Sequence, residues 1–129
     1  MKFDVVIGNP PYQMNDGGNG SSAKPLYHFY VEQAQQLSSL CMTMITPARW
    51  YSGGKGLDDF REEMLKNKGI KVLSDYFDAT ECFPNIDISG GVCHFLWERK
   101  YQGECKVISH LNGKVSIQQR YLSENNNLF

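Results

Sequence analysis

Four consecutive residues, Asn9-Pro10-Pro11-Tyr12, place an amide, two prolines and an aromatic ring directly after the apolar run Val5-Val6-Ile7-Gly8. Proline fixes its own φ and restricts the residue before it, so this stretch terminates a strand whatever else it does. Termination accounts for the prolines and leaves the amide and the phenol without a task. A chemical task uses all four positions. With the backbone fixed, the Asn9 side-chain oxygen and the Pro10 carbonyl are two acceptors able to converge on one planar NH2 group. Tyr12 then offers a face on which a heteroaromatic ring can stack. An amino nitrogen conjugated to a ring is a weak nucleophile. Two acceptors at that nitrogen draw its lone pair out of conjugation and favour attack on an electrophile, with no strong base required. This matters because neither a carboxylate nor a histidine adjoins the motif.

Other residues offer less specific chemistry. Arg49 and Lys55, with Lys24, read either as phosphate contacts near the motif or as ordinary surface charge. Trp50 and Tyr51 either stack on a base or anchor their loop to the core. Gly17-Gly18-Asn19-Gly20-Ser21-Ser22-Ala23-Lys24 has the glycine content of a phosphate cradle, but Pro25 stands where a P-loop needs Ser or Thr. Arg61, Glu62, Glu63 and Lys66 read as the solvated face of a helix. Cys41, Cys82, Cys93 and Cys105 include no CxxC pair, and His28, His94 and His110 add no zinc-binding spacing. The cysteines are expected to be reduced, buried and inert, and no metal is expected.

The elements that must position these residues follow from the pattern along the chain. Phe3 to Ile7 is a continuous apolar run, the signature of a strand buried on both faces of a parallel sheet. Residues 13–24, QMNDGGNGSSAK, read as a mobile loop. In PLYHFYVEQAQQLSSL, Leu26, Phe29, Tyr30, Ala34 and Leu37 fall near helical spacing, with Pro25 in the first turn. CMTMIT is a second buried strand closed by Pro47, and WYSGGKG a loop. GLDDFREEMLKNKG is a helix with Asp58 and Asp59 at its positive end and Lys66 at the other. IKVLSDYF is a third strand, ATECFPNIDISGG a long loop, and GVCHFLWERK a fourth strand with one partly exposed face. ECKVISHL and KVSIQQ flank Asn112-Gly113, the strongest two-residue hairpin signal. The tail YLSENNNLF is expected to fray. The order β-α-β-α-β-β is that of a doubly wound α/β sheet, whose ligands sit at the carboxyl ends of parallel strands. Asn9 to Tyr12 and Pro47 to Gly56 both fall there.

A chain of 129 residues makes one small domain, without room for a cofactor site and a separate recognition domain. The formal charge of -1 gives no global basic field, so any nucleic-acid face must be local. No apolar run reaches membrane-spanning length and the N-terminus lacks the shape of a signal peptide, which predicts a cytoplasmic protein with no membrane partner.

FDVVIGNPPY resembles motif IV of the amino-methyltransferases that use S-adenosylmethionine, in its DNA adenine-N6 form. ITPARWYSGGKGLDDFREEML resembles the strand, loop and helix after motif IV in adenine-specific restriction-modification enzymes, particularly the fused type IIG kind. ECFPNIDISGGVCHFLWERK resembles their motif VIII loop and last, antiparallel strand. The likeness covers roughly residues 1–100. It implies a partial Rossmann-like methyltransferase sheet, mostly parallel with an antiparallel last strand, followed by the hairpin. It further implies that Asn9 and Pro10, held by Pro11, grip the N6 amino group of a flipped adenine. Tyr12 would stack on that base and Phe83 pack against it, although Phe83 also reads as a loop aromatic tucked into the core. The implied partner is double-stranded DNA and the implied cofactor S-adenosylmethionine.

One departure limits the resemblance. The glycine-rich cofactor motif lies upstream of motif IV in this family, whereas only Met1 and Lys2 precede Phe3 here, and no GxGxxG follows a strand anywhere. The expectation is therefore a fragment: 1–103 the C-terminal half of a catalytic domain, 104–120 a hairpin extension and 121–129 a frayed tail, inactive alone. A sheet cut in this way exposes an edge, which predicts self-association through residues 3–7 or a neighbouring strand. Two alternatives stand beside this reading: a methyltransferase acting on protein glutamine or RNA, and a non-catalytic α/β binding module.

Overall fold

The computed structural model describes residues 2–14, 24–86 and 88–124. Along the chain run β1 (Phe3–Gly8), β2 (Gln13–Met14), β3 (Lys24–Pro25), α1 (Tyr27–Leu37) and β4 (Ser38–Pro47). A 3-10 turn at Ala48–Tyr51 leads to α2 (Asp58–Lys66) and β5 (Ile70–Tyr76). A second such turn at Ala79–Glu81 precedes β6 (Val92–Glu98), β7 (Cys105–Leu111) and β8 (Lys114–Arg120).

Six strands form one sheet in the order β1-β4-β6-β5-β7-β8. β1 pairs parallel with β4, and β5 parallel with β7. β6 is antiparallel to both β4 and β5, so β1, β4, β5 and β7 share one direction while β6 and β8 oppose it. The α/β class, the mostly parallel sheet and the antiparallel fourth long strand stand as expected. That strand lies between β4 and β5, a placement local patterning does not specify.

Registers align neighbouring rows on the covered face of the sheet. Met44, Phe95, Leu73 and Val107 are successive partners across four strands, and Thr46, Cys93 and Asp75 across three. The first row belongs to the hydrophobic core, together with Val31 of α1 and Phe60 and Met64 of α2. Tyr27 and Phe60 meet edge to face with centroids 6.1 Å apart, so both helices cover the same face. Only one of the two helix layers of a doubly wound sheet is thus present among the described residues.

β1 corrects an expectation. Phe3, Val5 and Ile7 are 50%, 53% and 72% exposed, not buried. β1 is an edge strand, and these side chains point away from α1 and α2, as their partner rows through Cys41 and Thr43 require. α1 is also rotated from the expected orientation: Tyr27, His28, Val31 and Ala34 are buried, while Phe29, Tyr30 and Leu37 are exposed. β4 starts earlier than expected, directly at the end of α1, where the Ser38 hydroxyl donates to the Ala34 carbonyl at 2.6 Å. Arg99 closes the same corner. Its guanidinium donates to the carbonyls of Gln35 (2.8 Å) and Ser38 (2.7 Å), groups a helix end leaves without intrahelical donors.

The loop expected at 13–24 is ordered at its base, where Gln13 and Met14 pair antiparallel with Pro25 and Lys24. Residues 15–23, including most of the glycine-rich segment, lie outside the described residues. The hairpin forms as expected: Leu111 pairs with Lys114, and Asn112 and Gly113 adopt φ of 53° and 75°, the twist-matching turn that Asn-Gly favours. Beyond it Leu122 is 3% exposed and joins the core, so the chain stays packed further than expected; residues 125–129 lie outside the described residues. No helix among the described residues is long and apolar enough to cross a membrane.

Candidate functional site

β1 and β4 end side by side, with Gly8 opposite Met44 in the parallel register. The chain leaves β1 through exposed Asn9, buried Pro10 and exposed Pro11 to half-buried Tyr12. Tyr12 is held by its carbonyl, which accepts the Leu26 amide at 3.1 Å, and by the β2–β3 pairing that follows it. Four segments therefore converge here: the NPPY turn, the start of α1, the turn after β4 and the loop before β6.

Between them lies a cavity of about 280 Å³. Tyr12, Gln13, Pro25 and Tyr27 form one side, Pro47, Arg49 and Lys55 another, and Ile88 and Ser89 a third. Of the residues expected at the site, Tyr12, Arg49 and Lys55 line this cavity. Asn9, Pro10 and Pro11 directly precede Tyr12 and do not line it. Phe83 is half-buried, its amide bonded to the Ala79 carbonyl at 2.8 Å, and is likewise not a lining residue. Ile88 and Ser89, from the same loop, are. Lys55 holds a left-handed φ of 51° between Gly54 and Gly56, which are also left-handed, and this backbone turn carries it to the rim.

Two lining tyrosines have buried hydroxyls without hydrogen-bond partners, Tyr12 and Tyr27. Burial raises the pKa of Tyr12, with Cys82 and Cys93 adding to the rise. Burial raises that of Tyr27 as well, Cys93 adding to it, while the Trp50 backbone amide and Arg49 oppose the rise. Both phenols remain protonated, hence donors as well as acceptors.

A second cavity of about 380 Å³ adjoins the first across Arg49 and Ser89. Its floor is Asp75, 5% exposed, which accepts from the Tyr51 hydroxyl at 2.9 Å. Burial pushes the Asp75 carboxyl from 3.8 to about 6; the Tyr51 bond and His110 pull the other way and lose. His110 stacks on Tyr76 at 4.1 Å and uses Nδ1 to reach the Asp75 carbonyl at 2.9 Å. Gly91, with φ of 81°, lets the loop before β6 pass this corner: a Cβ there would strike the Tyr76 carbonyl oxygen.

Several open readings resolve in favour of structure. Trp50 is 0% exposed and packs edge to face on Tyr51 and Phe60, so it anchors the turn that presents Arg49. Arg61 is not simply a solvated charge: its Nε donates to the Tyr51 carbonyl at 2.7 Å. The four cysteines are free thiols, but only Cys93 and Cys105 are buried; burial pushes Cys105 up to about 12.

Sequence reasoning missed Tyr27, Asp75 and Ser89 as members of these cavities. Tyr27 carried one usable signal: it sits two residues after Pro25, where the glycine-rich loop must return to the site. Asp75 carried another, as an acidic residue near the carboxyl end of an apolar strand.

Residues 1–83 match the family model described as Eco57I restriction-modification methylase. The chain is 38% identical over 117 residues to an uncharacterized adenine-specific methylase of Mycoplasma pneumoniae, covering 88% of this chain and 28% of that protein. Its fold is shared with a type I restriction-modification methyltransferase subunit of Streptococcus thermophilus. There the TM-score is 0.59 at 15% identity, over 92% of this chain and 29% of that one. It is shared too with a modification subunit ascribed to a type I restriction enzyme of Vibrio vulnificus, with TM-score 0.60 at 14% identity over 88% of this chain and 27% of that one. The chain thus spans between a quarter and a third of the length of these proteins.

Proposed function

Since this chain belongs to the Eco57I restriction-modification methylase family, we propose that it forms the base-accepting part of a DNA methyltransferase that modifies adenine at N6. The observation that carries this reading is the cavity directly following Asn9-Pro10-Pro11, with Tyr12 as one wall and Arg49 and Lys55 on another. Adenine is flipped from double-stranded DNA, because its amino group is otherwise paired inside the stack. The Asn9 side-chain oxygen and the Pro10 carbonyl accept from the two N6 hydrogens. Pro11 stiffens the turn and Tyr12 stacks on the ring. Phe83 closes over the opposite face after a shift of the 79–91 loop. Arg49 and Lys55 bind backbone phosphates and position the strand without reading its sequence. Held so, the N6 lone pair is freed from the ring and directed at an electrophilic methyl group.

S-adenosylmethionine supplies that methyl group when bound to the whole protein. The described residues do not fit it by themselves, since no GxGxxG turn joins a strand to a helix among them. Titrating S-adenosylmethionine into the chain is expected to give no tight binding, and tight binding would contradict this division of labour. The unpaired side of β1, flanked by exposed Phe3, Val5 and Ile7, supports self-association of the chain; a clean monomer by light scattering would count against it. With DNA as its proposed substrate, the protein is proposed to act in the cytoplasm.

The test of substrate class is transfer of labelled methyl by the whole protein carrying this chain, offered DNA, RNA and protein acceptors in parallel. Label in N6-methyladenine of DNA is the expected outcome. Label in protein glutamine or in RNA would replace this reading with the corresponding one.

A further inference from the structure

Tyr27 is 2% exposed, a lining residue of the cavity, and its hydroxyl has no hydrogen-bond partner. The rest of its ring has a sufficient structural role, packing edge to face on Phe60 at 6.1 Å and on His28 at 6.2 Å. Phenylalanine would fill that role equally well. A buried hydroxyl with no partner disfavours the folded state, and such groups in native proteins call for an explanation. Its position beside the base cavity offers one: the missing partner arrives with the ligand.

The chemistry of that partner follows from the geometry around it. The amino group of the base is taken by Asn9 and Pro10, which leaves the ring acceptors unclaimed. The Trp50 backbone amide opposes the rise in the Tyr27 pKa, as a donor facing the oxygen does, without completing a hydrogen bond to it. The hydroxyl therefore keeps its proton to give. Adenine presents two unprotonated ring nitrogens, N1 and N7, on either side of the carbon bearing the amino group, and each is an acceptor. Resting on the function proposed above, we propose that the Tyr27 hydroxyl donates a hydrogen bond to one of these ring nitrogens and so selects the purine by a second contact beside the amino clamp. Tyr27 is in this sense a specificity-determining residue. Asn9 and Pro10 recognise any conjugated NH2; Tyr27 requires an acceptor next to it.

The test is a titration of the chain, followed by NMR, with adenosine, 1-deazaadenosine, 7-deazaadenosine and purine riboside, for wild type and Tyr27→Phe. The expected result is that one deaza analogue binds about 10-fold more weakly than adenosine to wild type, the discrimination of one hydrogen bond. Tyr27→Phe should lose about the same factor for adenosine and show no further loss for that analogue. Thermal unfolding of Tyr27→Phe should show stability equal to wild type or higher, whereas loss of a hydrogen bond made within the folded chain would lower it. Equal binding of both deaza analogues to wild type overturns the donor role, as does unchanged binding of adenosine to Tyr27→Phe. In either case weaker binding of purine riboside, which lacks the amino group, leaves the Asn9-Pro10 clamp standing. Absence of any adenosine binding by the wild-type chain overturns both.

Discussion

Replacing Asp75 with asparagine tests whether the floor of the second cavity costs folding stability. The wild-type carboxyl titrates near 6 in the folded chain against an ordinary 3.8, because burial beneath the 48–52 turn outweighs the Tyr51 hydrogen bond and His110. A folded-state pKa above the unfolded one means the folded chain binds more protons across that interval. Stability from this group is therefore highest below about pH 4, falls as pH rises to about 6, and stays low above it. Two units at about 1.4 kcal/mol each set a ceiling near 3 kcal/mol. Solvent at the cavity mouth screens part of it, so about 1–3 kcal/mol is the working figure. Asparagine keeps an acceptor for the Tyr51 hydroxyl and cannot ionise. The assay is urea unfolding of wild type and Asp75→Asn at pH 4, 5, 6, 7 and 8. Taking the difference between the two cancels the remaining groups, among them Asp78, whose hydrogen bonds from Thr80 lower its pKa and so act with the opposite sign. Asp75→Asn should gain on wild type steadily between pH 4 and 6 and keep that gain to pH 8. A flat difference, or one that falls with pH, would refute the claim that desolvation dominates this carboxyl.

Three further expectations follow from other parts of the molecule. Leu73, 0% exposed at the centre of the sheet, should cost about 2–5 kcal/mol as Leu73→Ala in denaturant unfolding, with an unchanged m-value. Arg99→Ala removes the donors from the carbonyls of Gln35 and Ser38 and should cost about 1–3 kcal/mol by the same measurement. In the whole protein, Arg49→Gln with Lys55→Gln should weaken DNA binding about equally for all sequences and flatten the salt dependence by about two ion-release units, read from affinities across a salt series.

What the sequence disclosed depended on how local the determinant was. Asn9 to Tyr12 were legible because proline fixes its backbone without help from the rest of the fold. Asn112-Gly113 was legible for a similar reason: the turn needs two positive φ angles, and these residues tolerate them. Strand order was not legible from period or composition, since β6 reaches its place between β4 and β5 by pairing across long separations. The exposure of β1 was misjudged because an apolar run records what a strand can bury, not which neighbours are present. The face of α1 was misjudged because Phe29 and Tyr30 compete with Tyr27 and His28 at equivalent spacing, and tertiary packing against Phe60 decides between them. Asp75 was passed over because burial, and with it the raised pKa, belongs to the 48–52 turn folded over it rather than to its own strand.

The central claim is that Asn9 activates an exocyclic amino group. Single-turnover methyl transfer to adenine in DNA, measured for the whole protein with and without Asn9→Ala, tests it most directly. The account predicts a fall of about 100-fold or more in the chemical rate, as for loss of one preorganised polar contact at a reacting centre, with DNA affinity little changed. A chemical rate within a few-fold of wild type would contradict it.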